Sequence, residues 1–476
     1  MKHSPKSSMK AAADAGSIEI WEDDPGSGVT THVSLPDPNK SPFAYAFPTP
    51  APQPSPNRDS AAFRYWVAAE ALRRGADFWA PALPVTQWEV GPALKVLLDE
   101  GEDLNAFYDR QALNFFHGPS PEGTVFSCDS PDIVCHEMGH AILDSVKPEL
   151  FDTASHESGA FHESFGDMSA ILSAVQLPSL RQEILQETGG HPFRNSRLSR
   201  LAEQLGAAIR AQAPDAVEPD CLRNAVNSFT YQDPSTLPQS APASQLSSEV
   251  HSFSRVFTGA FFEALAGFLN ASAADPANPT ADELLAVSQN MRDILIQAVV
   301  NAPIVSNFFA QVAAAMVQVS AKVNPKYPAA LNAIFVRRGI LSLNSVVALR
   351  GMPAVSLVAA AQAAPAAAVL DKVAVPAAHY GLAEPLIVVT PSHPRNVAAF
   401  AAPGAGNATE PQSSVGASIS YVDALFAQGR VDYNKLGAAD PVFTHGRRLK
   451  THKVVRENGA LHLKRILFDC GCRCCS

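Results

Sequence analysis

The sequence predicts a chain that mixes helices with short strands, the α+β class. Three observations carry that expectation. Apolar residues recur at helical spacing over long stretches, as in Ala61-Ala62-Phe63-Arg64-Tyr65-Trp66-Val67-Ala68-Ala69-Glu70-Ala71-Leu72 and again from Phe253 to Leu269. Leu94–Leu98 reads instead as a short strand, turned by Asp99-Glu100-Gly101. Late in the chain, Asn458-Gly459 sits where Thr451–Phe468 would fold back as a hairpin.

Residues 1–58 read as an irregular arm, with Pro48, Pro50, Pro52, Pro54 and Pro56 forming a stiff extended linker. The region 59–176 opens with a helix from Ser60 to about Trp79 and continues through Leu94–Leu98. Asn105–Phe116 stays open between strand and loop. Ser130 is a good N-cap, Pro131 suits the first helical position and Pro148 stops the run, so one helix is expected between them. A second is expected from about Ser158 to Val175. The region 177–345 is mixed at first and then helical, with helices expected at Phe253–Leu269, Thr280–Asn301, Ser306–Val323 and Ala329–Arg338. Beyond that the composition turns rich in Ala, Pro and Gly, and 346–476 is set apart as an appendage.

With 476 residues the chain is long enough for a large core and at least two lobes. A formal charge of −10 argues against a nucleic-acid partner. No run suits a membrane span: Pro353–Leu370 is mainly Ala and is interrupted by Gln362 and Pro365. Met1-Lys2-His3-Ser4-Pro5-Lys6-Ser7 has no apolar stretch after it, so no secretory signal is read. The seven cysteines are odd in number, and Cys470, Cys472, Cys474 and Cys475 crowd the last residues, which is no disulfide framework. A cytoplasmic location is expected, secretion by a route without a recognisable signal being the alternative. The basic stretch Arg447–Arg465 is read as a solvated hairpin face.

The chemistry concentrates in Cys135-His136-Glu137-Met138-Gly139-His140. His136 and His140 are four apart on one helix, so both imidazoles leave the same face and can converge on one ion. Glu137 follows the first His, where a general base beside zinc is required. Catalytic zinc takes three protein ligands, and Glu163 on the next helix is the candidate for the third. Asp167, four residues on, is placed to orient a ligating His. Cys135 points off the His face and is read as a small apolar residue.

Those residues carry a resemblance. Glu157-Ser158-Gly159-Ala160-Phe161-His162-Glu163 and Asp167, placed after HExxH, resemble the signature of the thermolysin-like zinc endopeptidases, with His162 at the signature's Asn position. Asn105-Ala106-Phe107-Tyr108, Leu222-Arg223-Asn224 and Val250-His251-Ser252 resemble three further segments of that family, in order, over roughly 60–345. The resemblance implies a two-lobed fold: an N-terminal sheet-containing lobe, a central HExxH helix and a mainly helical C-terminal lobe. It implies Zn²⁺ on His136, His140 and Glu163, with Glu137 as general base and His251 stabilising the oxyanion. Asp167 would orient His136, and Asn105, Ala106 and Arg223 would hold a peptide or protein substrate.

The departures are specific. The family's oxyanion-side Tyr falls at about Ala154, a loss worth about 2–4 kcal/mol of transition-state stabilisation if nothing replaces it. Of the acids that hold the family's calcium pair only Asp132 has a counterpart, so calcium is not expected. The usual Asp before the catalytic His is Leu246, which leaves His251 to be oriented by Glu249 or not at all. Two alternatives to a general endopeptidase stand beside it: a zinc hydrolase with a narrowed or non-peptide substrate, and a non-catalytic zinc-retaining binding protein.

Overall fold

In the computed structural model the described residues are 16–346, 370–392, 413–433 and 449–470. They form an α+β structure. Its first strands lie where an irregular arm was expected: β1 (Ser17–Trp21) and β2 (Thr30–Ser34) make an antiparallel hairpin, and β3 (Ala44–Ala46) joins a larger sheet. The proline excess masked a short alternating pattern. Ile18 and Ile20 point inward and pack with Phe63, Trp66 and Val67 of α1 (Ala61–Trp79), while residues 35–43 and the stretch from Phe47 to α1 lack regular structure.

After α1 come β4 (Ala93–Leu97), β5 (Ala106–Tyr108), β6 (Ala112–Phe115) and a small hairpin, β7 (His117–Ser120) with β8 (Gly123–Phe126). Asn105–Phe116, open in the sequence, is therefore mostly strand. The helical middle follows: α2 (Pro131–Val146), the short α3 (Glu149–Asp152), α4 (His156–Ala174) and α5 (Pro178–Thr188). Next are β9 (Arg200–Leu201), α6 (Glu203–Gln212) and β10 (Arg223–Asn224), then α7 (Val250–Ser272), α8 (Ala281–Asn301), α9 (Phe308–Val323) and α10 (Tyr327–Arg337). Capping matches the residue chemistry. Ser60, Ser130 and Ser155 each accept a backbone N–H of the first turn, and Thr280 with Glu283 closes a reciprocal capping box.

The appended region is also ordered. β11 (Lys372–Val375), β12 (Leu386–Val389), α11 (Ser414–Ala427), β13 (Val431–Asp432), β14 (His452–Glu457) and β15 (Ala460–Arg465) form a five-stranded sheet with one helix against it. Asn458 and Gly459 both adopt positive φ, 50° and 82°, which is the turn their sequence foretold. Arg465, expected on a solvated face, is instead buried, because its guanidinium reaches back to the Phe151 carbonyl. Cys472, Cys474, Cys475, Arg447, Arg448 and most of the Ala-rich stretch lie outside the described residues.

The last strand, β16 (Phe468–Asp469), leaves this second sheet and pairs antiparallel with β5. It completes the first sheet in the order β16-β5-β6-β4-β3. α1 and α2 cover that sheet, and one continuous apolar core runs from Phe43 through α2, α4 and α7 to Phe335 and on to Phe468 and Cys470.

Candidate functional site

α2 and α4 cross at close range because both carry glycine at the crossing. A Cβ on Gly139 would lie 2.8 Å from Ser169 Cβ, and one on Gly166 would lie 2.6 Å from the His136 ring. The imidazole of His136 therefore rests on the bare backbone of α4. Its Nδ1 is 3.0 Å from Asp167 Oδ1, and its Nε2 is 3.3 Å from Glu163 Oε2. His140 Nε2 is 3.8 Å from Glu163 Oε1. The structure thus brings His136, His140, Glu163 and Asp167 together, and Glu137 joins the two histidines in one buried group able to hold a metal ion.

The donor chemistry fits a cation. His136 Nε2, both nitrogens of His140 and both oxygens of Glu137 and of Glu163 are buried without a hydrogen-bond partner among the described residues. Leaving so many buried polar atoms unpaired is costly, and a cation drawn in among them removes the cost. Two donors about 2.0–2.2 Å from a tetrahedral ion stand about 3.3 Å apart, and the His136–Glu163 separation is 3.3 Å.

The protonation states agree with those contacts. Burial opposes charge on His136, but Asp167 at Nδ1 and the Glu163 carboxylate facing Nε2 outweigh it and lift the ring to about 9, so a cation at Nε2 has to displace a proton. Burial and the neighbouring cationic groups push His140 well below the usual histidine range, so it is the neutral lone-pair donor a metal requires. Glu137 is raised to about 8, chiefly by burial. Asp167 is held below the usual carboxylate range: burial opposes this, but Arg223 and His136 prevail.

His251, at the start of α7, faces the same cluster. Its Nε2 is 3.3 Å from Glu163 Oε2, and its Nδ1 is 2.6 Å from Glu249 Oε1. Glu249 is also the N-cap of α7, accepting the Ser252 N–H at 3.0 Å, so one carboxylate starts the helix and orients the ring. Arg223 sits beside Asp167 at 2.8 Å. Cys135 lies on another face, its thiol 3.5 Å from the Ala71 carbonyl and pushed up to about 12 by burial. At Ala154 nothing polar projects. Its N–H donates to Val389 and its carbonyl accepts from Ser418, so the appended sheet closes over this position.

The groups that sequence reasoning missed lie at the far end of the chain. Cys470 N–H donates to the Ala106 carbonyl at 3.0 Å, and Arg223 Nη1 donates to the Cys470 carbonyl at 3.3 Å. His251 Nε2 donates to the Asp469 carbonyl. The Asp469 carboxylate is held by Arg430 at 3.1 Å. Phe468 stacks on His162 and His140, with ring centroids 4.1 and 4.9 Å away. A cavity of about 20 Å³, lined by Glu163, Glu249, Tyr421, Arg430, Phe468 and Asp469, has room for about one water molecule. No local pattern marks 468–470 as a partner of β5. The nearest clue was Cys470, visible only as one of a terminal cluster.

No protein-family model and no curated protein matches the chain.

Proposed function

We propose that the protein is a zinc-dependent peptidase, built as a two-lobed thermolysin-like fold with the metal between an N-terminal sheet and a helical C-terminal part. One observation carries the reading. A buried set of metal-ligand side chains lies beside a strand edge, β5, that holds an extended peptide backbone.

His136, His140 and Glu163 would hold Zn²⁺, which when bound acidifies water and polarises a carbonyl. Glu137 accepts the proton of the attacking water at its carboxylate and returns it to the leaving amine. Both nitrogens of His251 face acceptors, Glu249 and a peptide carbonyl, so the ring is an imidazolium that donates to oxygen where negative charge develops. Asp167 fixes the tautomer of His136, leaving Nε2 for the metal. Ala106 and Arg223 bind the backbone on the leaving-group side, and Asn105 lines the same edge.

The test is zinc content together with peptide cleavage, measured on the wild type and on Glu137→Gln. One zinc per chain in both proteins, with cleavage about 10²–10⁴-fold slower in the variant, is expected. Undiminished cleavage by Glu137→Gln would remove the mechanism, and zinc without any cleavage in the wild type would leave a binding protein.

A further inference from the structure

The segment on β5 lies as an added antiparallel strand at the edge of the sheet. Phe468 pairs with Tyr108 and Asp469 with Phe107, so the chain runs antiparallel along the edge. The peptide bond that reaches the metal-ligand cluster joins Asp469 to Cys470. Its carbonyl oxygen accepts from His251 Nε2, the same nitrogen that is 3.3 Å from Glu163 Oε2. Its N–H is held by Ala106 at 3.0 Å, and the next carbonyl is held by Arg223.

The two flanking side chains are also recognised. Arg430 pairs with the Asp469 carboxylate, although both are almost fully buried, at 7% and 5% side-chain exposure. Cys470 is 1% exposed, its sulfur 3.9 Å from Asn105 Oδ1. Burying an ion pair is favourable only where geometry and further hydrogen bonds repay the desolvation, so Asp469 is specifically accommodated.

We infer that the chain's own C-terminal segment is a substrate of this site, and that the bond hydrolysed is Asp469–Cys470. Water adds its oxygen to the Asp469 carbonyl carbon and the C–N bond breaks. Asp469 becomes a C-terminal carboxylate, and Cys470 leaves as the amino-terminal residue of the released peptide, its nitrogen taking the proton that Glu137 accepted from water and then the second water proton, shed as the carboxylate forms, to become an ammonium. No oxidant or carrier is involved. Hydrolysis deletes the contacts to Ala106 and Arg223 and leaves the cleft held by Phe468 and Asp469 alone.

The inference rests on the peptidase reading, and the experiment separates the two. Full-length wild type, Glu137→Gln and Cys470→Pro are prepared with chelator, and zinc is then added. Intact mass and the C-terminal residue are followed by mass spectrometry, alongside cleavage of an added unrelated peptide. Before zinc, alkylation mapped by fragmentation should find Cys470 protected relative to the unfolded chain. After zinc, the wild type should end at Asp469, at a rate independent of protein concentration. Both variants should stay uncleaved after residue 469: Glu137→Gln lacks the base, and Cys470→Pro lacks the N–H that Ala106 holds. A wild type that cleaves the added peptide yet keeps Cys470 overturns the inference alone. A zinc-loaded wild type that cleaves neither overturns the peptidase reading as well. Ready alkylation of Cys470 in the zinc-free chain, or processing at a different bond, also overturns the inference.

Discussion

At the scale of single residues, a buried carboxyl with an unpaired oxygen is informative, and Asp24 is one outside the metal-ligand cluster. Its Oδ1 accepts from Gly26 and Gln204, tying the N-terminal hairpin to α6, while its Oδ2 is buried with no partner among the described residues. Burial raises this carboxyl to about 7, with the charge of Asp23 adding to the effect. A raised carboxyl favours the folded state fully below its unfolded value near 4, and that contribution is lost as pH rises through about 7. Asp24→Asn keeps the Oδ1 acceptor and has no charge to bury. Its stability relative to wild type should therefore increase from pH 5 to pH 8, by on the order of a few kcal/mol. Urea unfolding of both proteins across that range reads the difference, and a gap that does not change with pH would show that Asp24 is ionised in the folded chain throughout.

At the scale of elements, the crossing of α2 and α4 is what brings His136, His140 and Glu163 together. Gly166→Ala would drive a methyl group into the His136 ring, 2.6 Å from its Cε1 and Nδ1. Zinc affinity should fall about 10–100-fold and stability by about 1–3 kcal/mol. Gly267→Ala on α7 is the control, since its Cβ would meet only Ala330 and Ile334 at 3.5 and 3.6 Å, and it should be neutral or stabilise by up to about 1 kcal/mol. Zinc titration with thermal melts decides, and equal zinc affinity in both variants would mean the crossing is not what sets the His136 ring. The two helices were legible in advance because spacing and caps are local: His136 and His140 share a face whatever the tertiary structure, and Ser130 and Pro131 mark a helix start by themselves. Glu249 was within reach of the same reasoning, two residues from His251. The glycine contact was not, since a glycine shows its purpose only when the neighbouring helix is in place. Ile18 and Ile20 did alternate with polar residues, but five closely spaced prolines downstream outweighed a strand so short.

At the scale of the whole molecule, the least legible feature is the one that relates the appended sheet to the site. β5 and β16 are separated by most of the chain, and no periodicity records a pairing at that distance. The sheet is nonetheless joined to the rest at several points. Ala154 donates to Val389, Ser392 donates to the Ile304 carbonyl, and Arg465 Nε donates to the Phe151 carbonyl at 2.9 Å. Arg465 also reaches the Tyr421 hydroxyl at 2.5 Å and lies over the Phe468 ring at 4.0 Å, so one side chain links the appended sheet, its helix and the segment in the cleft. Because these contacts are buried, the sheet and the helical body should unfold as one cooperative unit, a single transition with coincident probes. Arg465→Met preserves most of the apolar stem but leaves the Phe151 carbonyl without its buried donor, an expected cost of about 1–3 kcal/mol. Its loss also frees one face of Phe468. The variant should therefore melt lower, and hydrogen exchange at Phe468–Cys470 should quicken more than at α2. Two separated transitions in the wild type would instead make the sheet an independent unit. Unchanged exchange at 468–470 in the variant would mean that β5, His251 and Arg223 hold the segment without help from Arg465.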